Sequence, residues 1–201
     1  MEAIGPTIFS DVNDYWQCRL LLNGVFSVSS LRKLIDASPM GSWPTHWCKV
    51  VPSNINFFIW RARLNRLPDK CNLIDKGVSM QDVLCSACNA HGEDLPHIFF
   101  NCDTASQVWN NIAAWIDLTI PVWNSVNDIW QWIMTSSMPP TKMIVLEVIC
   151  YSTLWPLWCF RNACIFDLSS FKKCHILDFI VSSSFDWLSS RYKKANLNWN
   201  I

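Results

Sequence analysis

The sequence predicts a mainly α fold. Apolar residues recur at helical spacing in several separate segments. Prolines and small polar residues punctuate those segments where helices would start and stop. A compact run, Cys85-x2-Cys88-x8-His97-x4-Cys102, interrupts the helical pattern in mid-chain. The expected arrangement is a small helical domain containing this run, with a short strand pair beside it, followed by a helical C-terminal section.

Residues 1–22 read as a lead-in. From Gly24 to Asp36 the chain reads as a turn, a short extended piece and a helix. Ser27 or Ser29 would cap that helix, and Leu31, Leu34 and Ile35 give it an apolar face. Pro39 to Pro44 is a linker. Pro52-Ser53 opens the next helix, about Asn54 to Leu67, which Pro68 stops. Its stripe is Ile55, Phe58, Ile59 and Ala62. Arg63 and Arg66 lie one turn apart on another face. Leu73 to Val78 reads as a short helical turn ending at Gly77.

After the Cys/His run, Asp103 or Thr104 would cap a helix. Ala105, Val108, Trp109, Ile112 and Trp115 mark its buried face. Leu118 to Pro121 breaks the pattern. Residues 122–135 form another helix, with Trp123, Trp130 and Trp132. Met138-Pro-Pro-Thr141 reads as a boundary, and helical sequence runs on to Tyr192. Residues 193–201 read as a frayed tail.

Composition bounds the function. The chain has 201 residues, 51% of them hydrophobic and 16% charged. That is too apolar for a disordered chain and ample for a core. Thirteen Trp and eleven Phe supply much of it. The formal net charge of zero excludes a global field drawing the chain onto nucleic acid or an anionic membrane. Such binding needs a local patch. Ten Cys without an apolar leader point to a reducing compartment with free thiols. The expected location is intracellular, nuclear or cytoplasmic, and not secreted. Cys18, Cys48, Cys71, Cys150, Cys159, Cys164 and Cys174 read as small buried or incidental residues. Met143 to Phe160 is nearly continuous in apolar residues, close to the ~20 that span a bilayer. Glu147, Pro156 and Arg161 favour a buried helix pair over a membrane segment.

Two Cys separated by two residues can wrap one loop around a metal, and His97 with Cys102 can close the other half. A borderline d10 ion such as Zn²⁺ takes four N/S ligands in a tetrahedron. Cys85, Cys88, His97 and Cys102 fill all four positions, so such a site is structural. In a Cys-rich chain the same spacing also arises by chance. His91 competes as a ligand, but three residues after Cys88 it would strain the loop. Glu93 and Asp94 have three open roles. They can steady the loop or accept the free imidazole N–H of His97, or else stay as solvated loop charges.

Lys49, Arg61, Arg63, Arg66, Lys70 and Lys76 face only Asp69 and Asp75 in the same stretch. Arg61, Arg63, Arg66 and Lys70 are the candidates for phosphate contact. Trp60 or Phe57, if exposed, can stack a base. The alternative is a solvated helix face over buried aromatics.

Several blocks occur in order: Gly24-x-Phe26-Ser27-Val28-x-Ser30, Trp47-x4-Pro52-x4-Phe57-x2-Trp60-Arg61, Arg66-Leu67-Pro68, Cys85-x2-Cys88, Glu93-Asp94-x2-His97-Ile98-Phe99-Phe100-x-Cys102 and Val108-Trp109. Together they resemble the reverse-transcriptase zinc-binding domain of plant non-LTR retrotransposon polyproteins. Trp155-x2-Trp158-x2-Arg161-Asn162-x3-Phe166 resembles the tail that follows it. The resemblance spans about residues 14–170, with the domain at 23–118 and a Trp-rich helical section at 119–192. It implies one structural Zn²⁺ on Cys85, Cys88, His97 and Cys102. It also implies a part in handling RNA or DNA during reverse transcription. Asn54 departs from the basic residue often found where that helix opens, which weakens a phosphate contact there.

The chain reads as a detached tail of a polyprotein. No aromatic-x-Asp-Asp segment offers carboxylates for the two metal ions of a polymerase. Nothing orients Cys71, or Cys174 beside His175, as a nucleophile, since neighbours on a helix point about 100° apart. No enzymatic activity is expected from the chain alone, and no small-molecule substrate. Three readings of its role follow. It is a nucleic-acid-binding accessory module, a docking domain for the reverse-transcriptase core, or a decayed element with no selected function.

Overall fold

The structure, a computed structural model, describes residues 46–166 and 171–192. These lie in one compact unit, His46–Ile201. The expected helix at 31–36, the linker at 39–44, Cys18 and the tail at 193–201 lie outside the described residues.

The order is α1 (Ser53–Arg63), α2 (Lys70–Asp75), a π-helical turn (His97–Asn101), α3 (Asp103–Ile116), α4 (Val126–Thr135), α5 (Pro140–Phe166), a 3-10 turn (Lys173–His175) and α6 (Ile176–Arg191). The fold is mainly helical, as the periodicity predicts. Among the described residues there is no strand. The expected strand pair is reduced to a single antiparallel bridge, Leu84 to Gly92.

Helix α1 buries Ile55, Phe58, Ile59 and Ala62, the predicted stripe. Asn56 is buried too. It accepts from the Cys48 N–H at 3.0 Å and donates to the carbonyls of Cys48 and Val51, both at 2.9 Å. This pins the entering chain to the helix. The helix ends at Arg63, four residues before the predicted stop. Asn65 adopts a left-handed φ of 51°, which Asn tolerates better than most residues. Arg66 and Leu67 therefore lie beyond the helix. Helix α2 starts earlier than predicted because Asp69 caps it, accepting from the Asn72 N–H at 2.7 Å. Gly77 follows with φ 81°, a conformation that favours glycine.

Helix α3 buries Ala105, Val108, Trp109 and Ile112, while Trp115 is half-buried. Cys102, not Asp103 or Thr104, holds its N-cap position. Helix α4 starts at Val126, later than predicted, because Ser125 and Asp128 form a capping box. Trp123 precedes that helix yet is buried, edge-on to Trp109 with ring centroids 5.0 Å apart.

Helix α5 is the axis of the unit. It packs against α1, the π-helical turn, α4 and α6. It runs unbroken through Pro156, where a helix pair was expected. An interior proline costs a helix about 3 kcal/mol or more. Burial of Leu154, Leu157 and Trp158 around it offsets that cost. Residues 138–141 therefore join parts of one unit. By length and composition α5 could cross a membrane, but 67% of its most apolar window is buried within the protein.

Candidate metal centre

The Cys/His run builds a small scaffold of backbone hydrogen bonds. The Cys85 N–H donates to the His91 carbonyl at 2.7 Å, and the Asn89 N–H to the Cys85 carbonyl at 2.7 Å. Asn89 takes a left-handed φ of 54° to close this turn. Cys85 and Cys88 lie on it. The other pair is set by the π-helical turn. The His97 N–H donates to Asp94 Oδ1 at 2.7 Å, and the Cys102 N–H to the His97 carbonyl at 2.8 Å. Leu157 and Phe160 of α5 lie beside Cys85 and Cys102.

The donor atoms of Cys85, Cys88, His97 and Cys102 converge within 4.8 Å of one another. Cys88 Sγ lies 3.3 Å from His97 Nε2. Metal bonds of about 2.0–2.3 Å in a tetrahedron give donor separations of roughly 3.5–3.8 Å. The cluster is close to that size before any adjustment. Its cysteines are free thiols. Hydrogen bonding to Cys102, reinforced by burial, pushes the Cys85 thiol up to about 12, and the same bond holds Cys102 below its ordinary value.

His91 is exposed and stands outside the cluster, its ring centroid 5.4 Å from that of His97. Of the roles expected for Glu93, the structure shows the steadying of the loop, and neither a bond to the His97 imidazole nor a solvated charge. Glu93 is fully buried. Its Oε1 accepts from Arg161, with Nε at 3.0 Å and Nη2 also in contact, and from the Lys70 N–H at 3.3 Å. Its Oε2 accepts from the Ser86 N–H at 3.1 Å. One carboxylate thus ties the metal loop to α2 and α5. Burial alone would raise its pKa, but the Arg161 guanidinium and the Ser86 N–H hold it below the ordinary 4.5. The guanidinium also lies over Trp158, 4.8 Å from the ring centroid. Both residues sit in the blocks that carry the family resemblance; their pairing is a tertiary fact with no local signal.

The four predicted cations do not form one open patch. Lys70 is buried, with Nζ 3.0 Å from Asp82 and 2.6 Å from the Leu84 carbonyl. Arg63 donates to Asn127 Oδ1 at 2.8 Å and lies over Trp130. Arg61 donates to the Arg66 carbonyl at 3.0 Å and joins no ion pair among the described residues. Arg66 is exposed. Phe57 is 50% exposed, its ring 5.5 Å from that of Trp60.

No curated protein and no solved structure matches this chain. Residues 26–109, the stretch that carries all four donors, match the model of the family described as zinc-binding in reverse transcriptase, so the resemblance to a reverse-transcriptase zinc-binding domain holds across this part of the chain.

Proposed function

We propose that the chain is a non-catalytic zinc-stabilised module of a plant non-LTR retrotransposon reverse transcriptase. It assists nucleic-acid binding during reverse transcription, inside the cell. The observation that carries this reading is the convergence of three cysteines and one histidine on one point. A tetrahedral Zn²⁺ held by all four keeps no position for water, so it serves the fold and not a reaction. Its binding is then part of the folding free energy. The uncompensated charge of Arg61 beside exposed Phe57 supports the nucleic-acid role.

Docking of the reverse-transcriptase core is the second reading. Trp47 at 45% exposure and Phe166 at 66% favour it, since large apolar side chains left in water often mark partner surfaces.

The test of the module is metal content of the purified chain, with Cys88→Ser and His97→Ala beside it and helicity followed by circular dichroism. One zinc per chain, lost together with helicity in both variants, is the expected result. A metal-free wild type, or full zinc in both variants, overturns the reading.

A further inference from the structure

One face of the unit carries an open groove of about 610 Å³, between α1, the loop that leads into α2 and the C-terminal half of α5. That volume falls within the roughly 300–1,000 Å³ of small-ligand sites. Phe57, Trp155 and Phe166 supply aromatic surface to it. Phe57 and Phe166 are exposed. The Trp155 ring is held edge-on by Phe58, with centroids 5.1 Å apart. Asn54 and Asn162 add carboxamides, and Arg61 stands in the lining. No carboxylate lines the groove among the described residues.

The two guanidiniums of the lining differ. Arg161 is neutralised by Glu93 beneath it. Arg61 has no such partner, and its contact with the Arg66 carbonyl uses one of the five N–H donors of a guanidinium. That contact orients the group without cancelling its charge. An aliphatic peptide would cover the apolar surface and meet the carboxamides through its backbone, but it would leave the Arg61 charge unanswered. A flat aromatic ring with hydrogen-bonding edges and an anionic linkage answers all three.

We propose that this groove is a binding site for a single-stranded nucleic-acid segment. Bases stack on Phe57 and Trp155, Asn54 and Asn162 meet base edges, and Arg61 contacts a phosphate. The inference rests on the nucleic-acid reading above and locates it. It places that activity in an aromatic groove with one unpaired cation, and not at Lys70, which is buried against Asp82, or at Arg63, which lies outside the groove over Trp130. Because the main contacts are stacking contacts, the site suits unpaired strands and discriminates weakly between sequences.

The test is fluorescence anisotropy of a short fluorescein-labelled single-stranded RNA, and of its DNA counterpart, titrated with the zinc-loaded full chain over a salt series. Phe57→Ala should weaken binding by roughly fivefold to a hundredfold. Arg61→Gln should weaken it and lower the salt slope by about one. Arg191→Gln, a cation on α6 outside the groove, should bind as wild type. Helicity and zinc content equal to wild type certify each variant as folded. If wild type binds and both groove variants bind equally well, the groove assignment is overturned while the nucleic-acid reading stands. If wild type binds neither strand, both fall, and saturable binding of an aromatic peptide to the same groove would then assign it to a protein partner.

Discussion

Glu93 and Arg161 form a buried ion pair across 68 residues of chain, joining the loop that carries Cys85 and Cys88 to the central helix. The loop cannot move from α5 without exposing or orphaning a charge. The donor cluster is therefore held from two sides, by its own backbone turns and by this pair.

Removing one partner should be severe. Glu93→Gln leaves the Arg161 guanidinium buried without a counter-charge, and the expected loss is about 3–5 kcal/mol in urea unfolding. Replacing both, as Glu93→Gln with Arg161→Met, should recover part of that loss. The pH dependence has a defined sign. The folded carboxyl is held below its ordinary 4.5. Its contribution is therefore present above that value and lost as pH falls through the folded value. The stability gap between wild type and Glu93→Gln should narrow on acidification below about 4.5. A gap that widens would contradict the pair's role.

His91→Ala distinguishes the donors from their neighbour. His91 is exposed and outside the cluster, so this variant should keep one zinc per chain by elemental analysis. His97→Ala should lose it. Equal loss in both would mean that the loop itself, not the ligand set, had been disturbed.

Zinc affinity should fall steeply with acid. In the metal-free chain the Cys85 thiol is pushed up to about 12 by its bond to Cys102 and by burial. Thiolates bind the metal, so binding must release protons, and affinity rises with pH through the neutral range. Calorimetric titration in buffers of different ionisation enthalpy measures that release directly. Binding enthalpies independent of buffer would refute it.

Lys70→Met tests a cation predicted for phosphate contact. Its ammonium donates to Asp82 and to the Leu84 carbonyl next to Cys85. The expected effect is a stability loss of about 1–3 kcal/mol, with the salt slope of RNA binding unchanged. A flatter slope at wild-type stability would return Lys70 to the interface.

Ser125→Ala probes the capping box of α4. Loss of its bond to the Asp128 N–H should cost about 1 kcal/mol in chemical denaturation. A variant as stable as wild type would show that packing of Trp123 and Ile129 alone sets the start of the helix.

The sequence by itself determined the helical class, the apolar faces of α1 and α3, and the four converging donors. All of these rest on spacings within a few turns of chain, where helical period and loop length fix which side chains meet. It misplaced what depends on distant partners. Pro156 reads as a break because local rules see a missing N–H and not the surrounding core. Local sequence offers Lys70 and Arg63 as an open cationic face because their partners, Asp82 and Asn127, lie 12 and 64 residues away. Local sequence suggests that Glu93 steadies the loop but does not name its partner, Arg161, 68 residues away. Charge and exposure are properties of the packed molecule. Only the tertiary structure decides which cations are paired internally, like Lys70, and which, like Arg61, join no ion pair among the described residues.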